Sequence, residues 1–96
     1  MSYPINQYED TWLGMGVAPK LRDGVQQENR EGLPRWSVEV LHREEGRRSE
    51  VLLVTIASLT KPELEPMEPV TFTNLRVAEW SNDNGSGVYF TADSLA

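Results

Sequence analysis

Apolar and polar positions alternate with a period of two through much of the second half of the chain. Trp36, Val38, Val40 and His42 fall on one parity, and Ser37, Glu39 and Leu41 on the other. That is the pattern of a strand with one face buried. Residues 51–56 are apolar on both parities, which predicts a central strand covered on both faces or one curling around a small barrel. Val70 and Phe72 resume the alternation. At Thr73-Asn74 the parity slips, and Leu75 and Val77 take over the apolar role, so a kink or bulge is expected there. The run Ser81-Asn82-Asp83-Asn84-Gly85-Ser86-Gly87 is the strongest hairpin signal. Its Asn84-Gly85 pair is expected to take positive φ at both positions before a returning strand from Val88 to Thr91.

The first half is less regular. Residues 1–10 are polar with one proline and read as a flexible N-terminal arm. Residues 11–19 suit a short first strand with a bulge at Gly14 or Gly16. Residues 20–32 are charged, contain glycine and lack an apolar face, so a loop is expected. A charged turn over residues 43–48 separates the two central strands. Residues 61–69 carry three prolines and predict an exposed crossing loop. The pattern yields about five strands and no helix, with turn signals roughly every ten residues, hence an all-β barrel or sandwich. Residues 11–96 are expected to form its single domain.

Composition narrows this further. A chain of 96 residues holds one modest core. There is no cysteine, which removes disulfides, thiolate metal sites and thiol nucleophiles and fits a reducing cytoplasm. The N-terminus lacks the basic-then-apolar pattern of a signal peptide. The longest apolar run, Val51-Leu52-Leu53-Val54, is far too short to span a bilayer. A soluble cytoplasmic protein without a membrane partner is expected. The net charge of −6 opposes indiscriminate attraction to polyanions. Seven of the nine basic residues, however, lie in residues 1–48 against eight acids, while residues 49–96 carry two against seven. A local basic surface is therefore confined to the first half.

Catalytic equipment is hard to assemble from these residues. His42 is the single histidine, and it reads as a partly buried strand residue beside a turn rather than a general base. No HxxxH, HxH or DxD spacing offers a metal-ligand set. Glu44 with Glu45, and Glu63, Glu65 and Glu68, lie in turns expected to be wet, so they read as a solvated acidic surface rather than a catalytic pair. Gly14-Met15-Gly16 lacks the third glycine and following helix of a phosphate cradle. No enzyme, metal or cofactor is expected.

Aromatic and basic residues suggest binding instead. Arg35 precedes Trp36, Trp80 shares a parity with Arg76, and Tyr89 and Phe90 lie on opposite faces of the last strand. Binders of single strands combine aromatic faces for bases with cations for phosphates. If Val88 and Phe90 face the core, Tyr89 faces out, and parity presents Arg76 and Trp80 outward as well. Arg43, Arg47 and Arg48 at a hairpin tip could close over a strand laid on that face. In so small a domain Trp36 and Trp80 nevertheless read as core anchors ahead of stacking platforms.

Gly32-Leu33-Pro34-Arg35-Trp36-Ser37-Val38, residues 50–56, Val70-Thr71-Phe72 and Asn74-Leu75-Arg76-Val77 together resemble a family of small proteins. These are the replication, integration and excision accessory proteins of actinobacterial conjugative and integrative plasmids. The C-terminal half also resembles filamentous-phage single-strand-binding proteins and helicase-processivity factors. The resemblance implies an all-β, five-stranded OB-like barrel that binds single-stranded DNA without catalysing. Arg35, Arg43, Arg47 and Arg48 would then contact phosphates, and Arg76, Trp80 and Tyr89 would form the stacking face. The rival reading is an adaptor that docks a replication or conjugation protein through its acidic loop or a sheet edge. Homodimerisation through such an edge is compatible with both.

Overall fold

The protein is described by a computed structural model covering residues 2–95. Ten strands are present among the described residues: β1 (Ser2–Pro4), β2 (Thr11–Pro19), β3 (Leu21–Arg22), β4 (Val25–Gln26), β5 (Arg35–Arg43), β6 (Glu50–Ala57), β7 (Phe72–Thr73), β8 (Arg76–Asn82), β9 (Gly85–Ala92) and β10 (Ser94–Leu95). A single 3-10 turn, Gln7–Glu9, is the only helical element among the described residues. Six strands form one sheet in the order β1-β8-β9-β6-β5-β2, while β7 pairs with β10 and β3 with β4. The all-β expectation is met. The count of five is too low, although five strands of seven to nine residues (β2, β5, β6, β8 and β9) carry the sheet. The sheet is also not closed into a barrel, because β1 and β2 remain at opposite edges of the ladder.

Alternation in β5 translates directly into packing. Val38, Val40 and His42 are buried while Glu39 and Arg43 are exposed. In β6 only Val54 and Ile56 are fully enclosed; Val51 and Leu53 are each 56% exposed. The expected double cover of residues 51–56 therefore fails on one parity. Val51 and Leu53 lie opposite Leu41 and Glu39 on the outward face, whereas Leu52, Val54 and Ile56 pack toward the core. Trp12, Phe72, Leu75 and Ala92 complete the core with these residues. The indole of Trp12 stacks on the His42 ring at 4.2 Å and meets Phe72 edge-on at 6.3 Å.

The predicted irregularities are mostly present. The β2–β5 register shifts between Gly14 and Gly16, leaving Met15 as the bulged residue. Asn74 adopts φ 52° between β7 and β8, and Leu75 beyond it is buried, which is the expected parity slip. The last hairpin turns at Asp83 and Asn84, one position earlier than predicted, and of the Asn84-Gly85 pair only Gly85 takes positive φ. Asn82 Oδ1 accepts from the Asn84 amide at 2.8 Å, an Asx turn that replaces the expected geometry.

Residues 1–10 are not a free arm over their described part. Ser2–Pro4 pairs antiparallel with β8, and Ile5 N donates to Leu75 O at 3.0 Å. Gln7 is buried, and its side-chain amide pairs with both backbone groups of Phe72: Nε2 donates to Phe72 O at 2.7 Å and Oε1 accepts from Phe72 N at 2.6 Å. The side chain thus substitutes for a ladder neighbour.

The proline-rich loop is also tethered. Gly14 N donates to Glu68 O at 2.9 Å, Met67 N to Gly14 O at 2.7 Å and Val70 N to Trp12 O at 2.9 Å. This covers the outer edge of β2, which would otherwise invite aggregation. A Cβ on Gly14 would come within 3.0 Å of Val70 Cγ1 and 3.2 Å of Leu64, so the loop's close approach depends on glycine there.

Candidate nucleic-acid interface

Cross-strand partners point to the same side of a sheet, so the register defines the outward face. Arg35 lies opposite Ala57, Ser37 opposite Thr55 and Glu39 opposite Leu53. Thr55 lies opposite Thr91, and Arg76, Ala78 and Trp80 lie opposite Thr91, Tyr89 and Gly87. One face therefore presents, in spatial order, Trp80 on β8, Tyr89 on β9, Thr55 on β6 and Arg35 on β5.

An open pocket of about 630 Å³ occupies this face, lined by Lys20, Asn29, Arg35, Thr55, Trp80 and Tyr89 among others. Three of the seven sequence-predicted residues (Arg35, Trp80 and Tyr89) are thus brought together. Trp80 is 44% and Tyr89 46% exposed, which corrects the core-anchor reading of Trp80. Its indole lies against Gly87, where an added Cβ would sit 2.9 Å from Nε1. The missing side chain on β9 gives the ring its bed. Trp36, by contrast, is half-buried on the core side, with Nε1 donating to Ser58 O at 3.0 Å.

Arg76 shares the face but is engaged at the sheet edge, where Nε donates to Ser2 Oγ at 2.9 Å and Nη2 to Ser2 O at 3.0 Å. Arg43, Arg47 and Arg48 are not at the pocket. Arg35 and Arg43 mark opposite ends of β5, about 27 Å apart at ~3.4 Å per residue, and Arg47 is held by Glu44 at 3.2 Å. Between them the outward face carries Glu39, Leu41, Val51 and Leu53, an acidic and apolar interval.

Lys20 was missed by sequence reading because it lay in a presumed loop. It extends the β2–β5 ladder by one position, its amide donating to Arg35 O at 3.0 Å. Its ammonium donates to Thr55 Oγ1 at 2.9 Å. Burial, and secondarily the Arg35 guanidinium, push its pKa below the ordinary 10.5.

A second cluster sits at the far end of β5. His42 Nε2 faces Asp10 Oδ2 at 2.9 Å and Nδ1 faces Glu50 Oε1 at 3.4 Å. Asp10, His42 and Glu44 offer donor atoms within 4.8 Å of one another, a set that strand-internal spacing does not display. Each of these groups already has a protein partner, and the cluster is remote from the pocket. No helix among the described residues is long and apolar enough to cross a membrane. Comparison of the chain with protein-family models, curated proteins and solved structures gives no match.

Proposed function

We propose that the chain is a non-enzymatic single-stranded-DNA-binding accessory protein, with an OB-like sheet opened at one seam as its platform. The carrying observation is one outward face that holds two half-exposed aromatic rings beside two cations, Lys20 and Arg35. Base stacking on such rings contributes about 1–3 kcal/mol per base and tolerates any sequence. The OB reading is supported by the three-strand meander β2-β5-β6 and the β8–β9 hairpin that returns by a long connection to lie beside β6. OB folds are partly open Greek-key barrels whose central strands and adjoining loops take oligonucleotides.

In this reading Arg35, Trp80 and Tyr89 contact DNA directly and Arg76 steadies the edge of the platform. Arg43, Arg47 and Arg48 serve a strand only if it runs past Glu39. A role in plasmid or mobile-element DNA processing, in the cytoplasm, follows from the resemblance described above. The direct test is fluorescence anisotropy of a labelled oligo-dT at low salt, with micromolar protein. Saturable binding is expected; a flat titration overturns the proposal.

A second reading rests on the unpaired half of β6. Val51 and Leu53 are exposed, and among the described residues their backbone has no strand partner on the β9 side. An extended segment of a replication or conjugation protein, or of a second copy, could add there as a strand. Sedimentation equilibrium with and without a Leu53→Lys substitution separates self-association from monomeric behaviour.

A further inference from the structure

Lys20 and Arg35 stand directly opposite each other across the β2–β5 ladder. Like charges in that relation destabilise a sheet. Among the described residues neither cation has a carboxylate within 4.0 Å, although the chain carries fifteen acids. Acidic residues are therefore plentiful on the molecule and withheld from this spot. Lys20 is also half-buried, its ammonium fixed by Thr55, so it is a positioned charge rather than a solvated one. Asn29 lines the same pocket, with Oδ1 occupied by the amides of Glu31 and Leu33 at 3.0 and 2.9 Å. That leaves its Nδ2 as a donor turned to no protein acceptor among the described residues.

We infer that Lys20 and Arg35, with Thr55 positioning the ammonium, form a phosphate subsite at one end of the pocket, so that its minimal ligand is a nucleotide and not a nucleoside. The inference rests on the single-strand reading and assigns its anchor. The two cations share one phosphate, and their mutual repulsion is relieved when it arrives. The bases extend from there across β6 and β9 toward Tyr89 and Trp80, transverse to the strands. From β5 to β8 is three strand spacings, about 14 Å, which a short run of nucleotides bridges. Glu39 on the same face repels a backbone that would run along β5 instead.

The test combines amide chemical shifts of isotope-labelled protein with anisotropy of labelled oligo-dT. Thymidine 5′-monophosphate should shift the Lys20, Arg35 and Thr55 signals, while thymidine at equal concentration perturbs only the Trp80 and Tyr89 region. Lys20→Gln should weaken oligo-dT binding at least fivefold and flatten its salt dependence, with Lys20→Arg restoring most of both. Unchanged oligo-dT affinity in Lys20→Gln, with its thermal melt intact, overturns the subsite and leaves the single-strand reading standing. No oligo-dT binding by the wild type, with the monophosphate shifts present, overturns the single-strand reading and keeps the subsite. No shift and no binding overturns both.

Discussion

Salt is the perturbation that best separates the pocket from the wider arginine set. Each phosphate neutralised on a single strand contributes about −0.7 to the slope of log K against log salt. Lys20 and Arg35 share one phosphate at the pocket, which gives a slope near −0.7 by that coefficient. Adding Arg43, Arg47 and Arg48 at the far end of β5, each on a phosphate of its own, makes four and a slope near −2.8. Between 50 and 200 mM salt the first case loses about 2.6-fold in affinity and the second about fiftyfold. Two stacked bases supply about 2–6 kcal/mol, short of the ~8.2 kcal/mol of micromolar binding. Affinity at physiological salt should accordingly be micromolar or weaker. Anisotropy of labelled oligo-dT at four salt concentrations across that range reads the slope. A value near −2.8 refutes the assignment to the pocket and returns the hairpin arginines to the interface.

Trp80→Ala and Tyr89→Ala should each weaken oligo-dT about 5- to 150-fold, the equivalent of one lost stack, with little change in melting temperature because both rings are half-exposed. Gly87→Val should lift the indole from its bed, seen as altered Trp80 fluorescence and weaker binding; an unperturbed indole with full affinity contradicts the stacked placement. Gln7→Ala strands two buried backbone groups of Phe72, each costing about 1–3 kcal/mol, and should lower the melting temperature by roughly 10 °C or more. Retention of wild-type stability would mean that the N-terminal segment is dispensable. Lys20, whose pKa is lowered by burial, holds fewer protons folded than unfolded between that lowered value and 10.5. Stability should therefore rise with pH across that window and show no such rise in Lys20→Met.

Much of this fold is legible along the chain because period-two alternation and turn chemistry are local. The β5 alternation, the bulge beside Gly14 and the left-handed kink at Asn74 all follow from a few adjacent residues. Cross-strand matters were not legible. The Gln7 amide finds its partners 65 residues away, so a polar N-terminus looked untethered. Asp23-Gly24, a hairpin signal, joins the short β3–β4 ribbon; the surrounding charge obscured it. The ribbon matters because it carries the chain from Lys20 back to Arg35. At the site, parity foretold the shared outward face of Trp80 and Tyr89. It could not tell that Lys20 joins Arg35 across the ladder.

The chain's acidity bears on this assignment through distance. A net charge of −6 repels a polyanion over the Debye length, about 30 Å at 0.01 M salt and about 8 Å at 0.15 M. Lys20 and Arg35 act at contact, where Lys20 is partly buried and so screened less than an exposed charge. Lowering salt therefore strengthens two opposing effects, contact attraction and long-range repulsion. The logarithmic plot should bend toward a plateau near 0.01 M, where the Debye length of about 30 Å matches the molecular extents of 37 × 34 × 22 Å. A protein with a continuous basic groove would keep a straight line there. The bend thus distinguishes a two-cation foothold on an acidic body from a broad basic surface, and its absence with a slope near −0.7 would place the acidic side chains far from the bound strand.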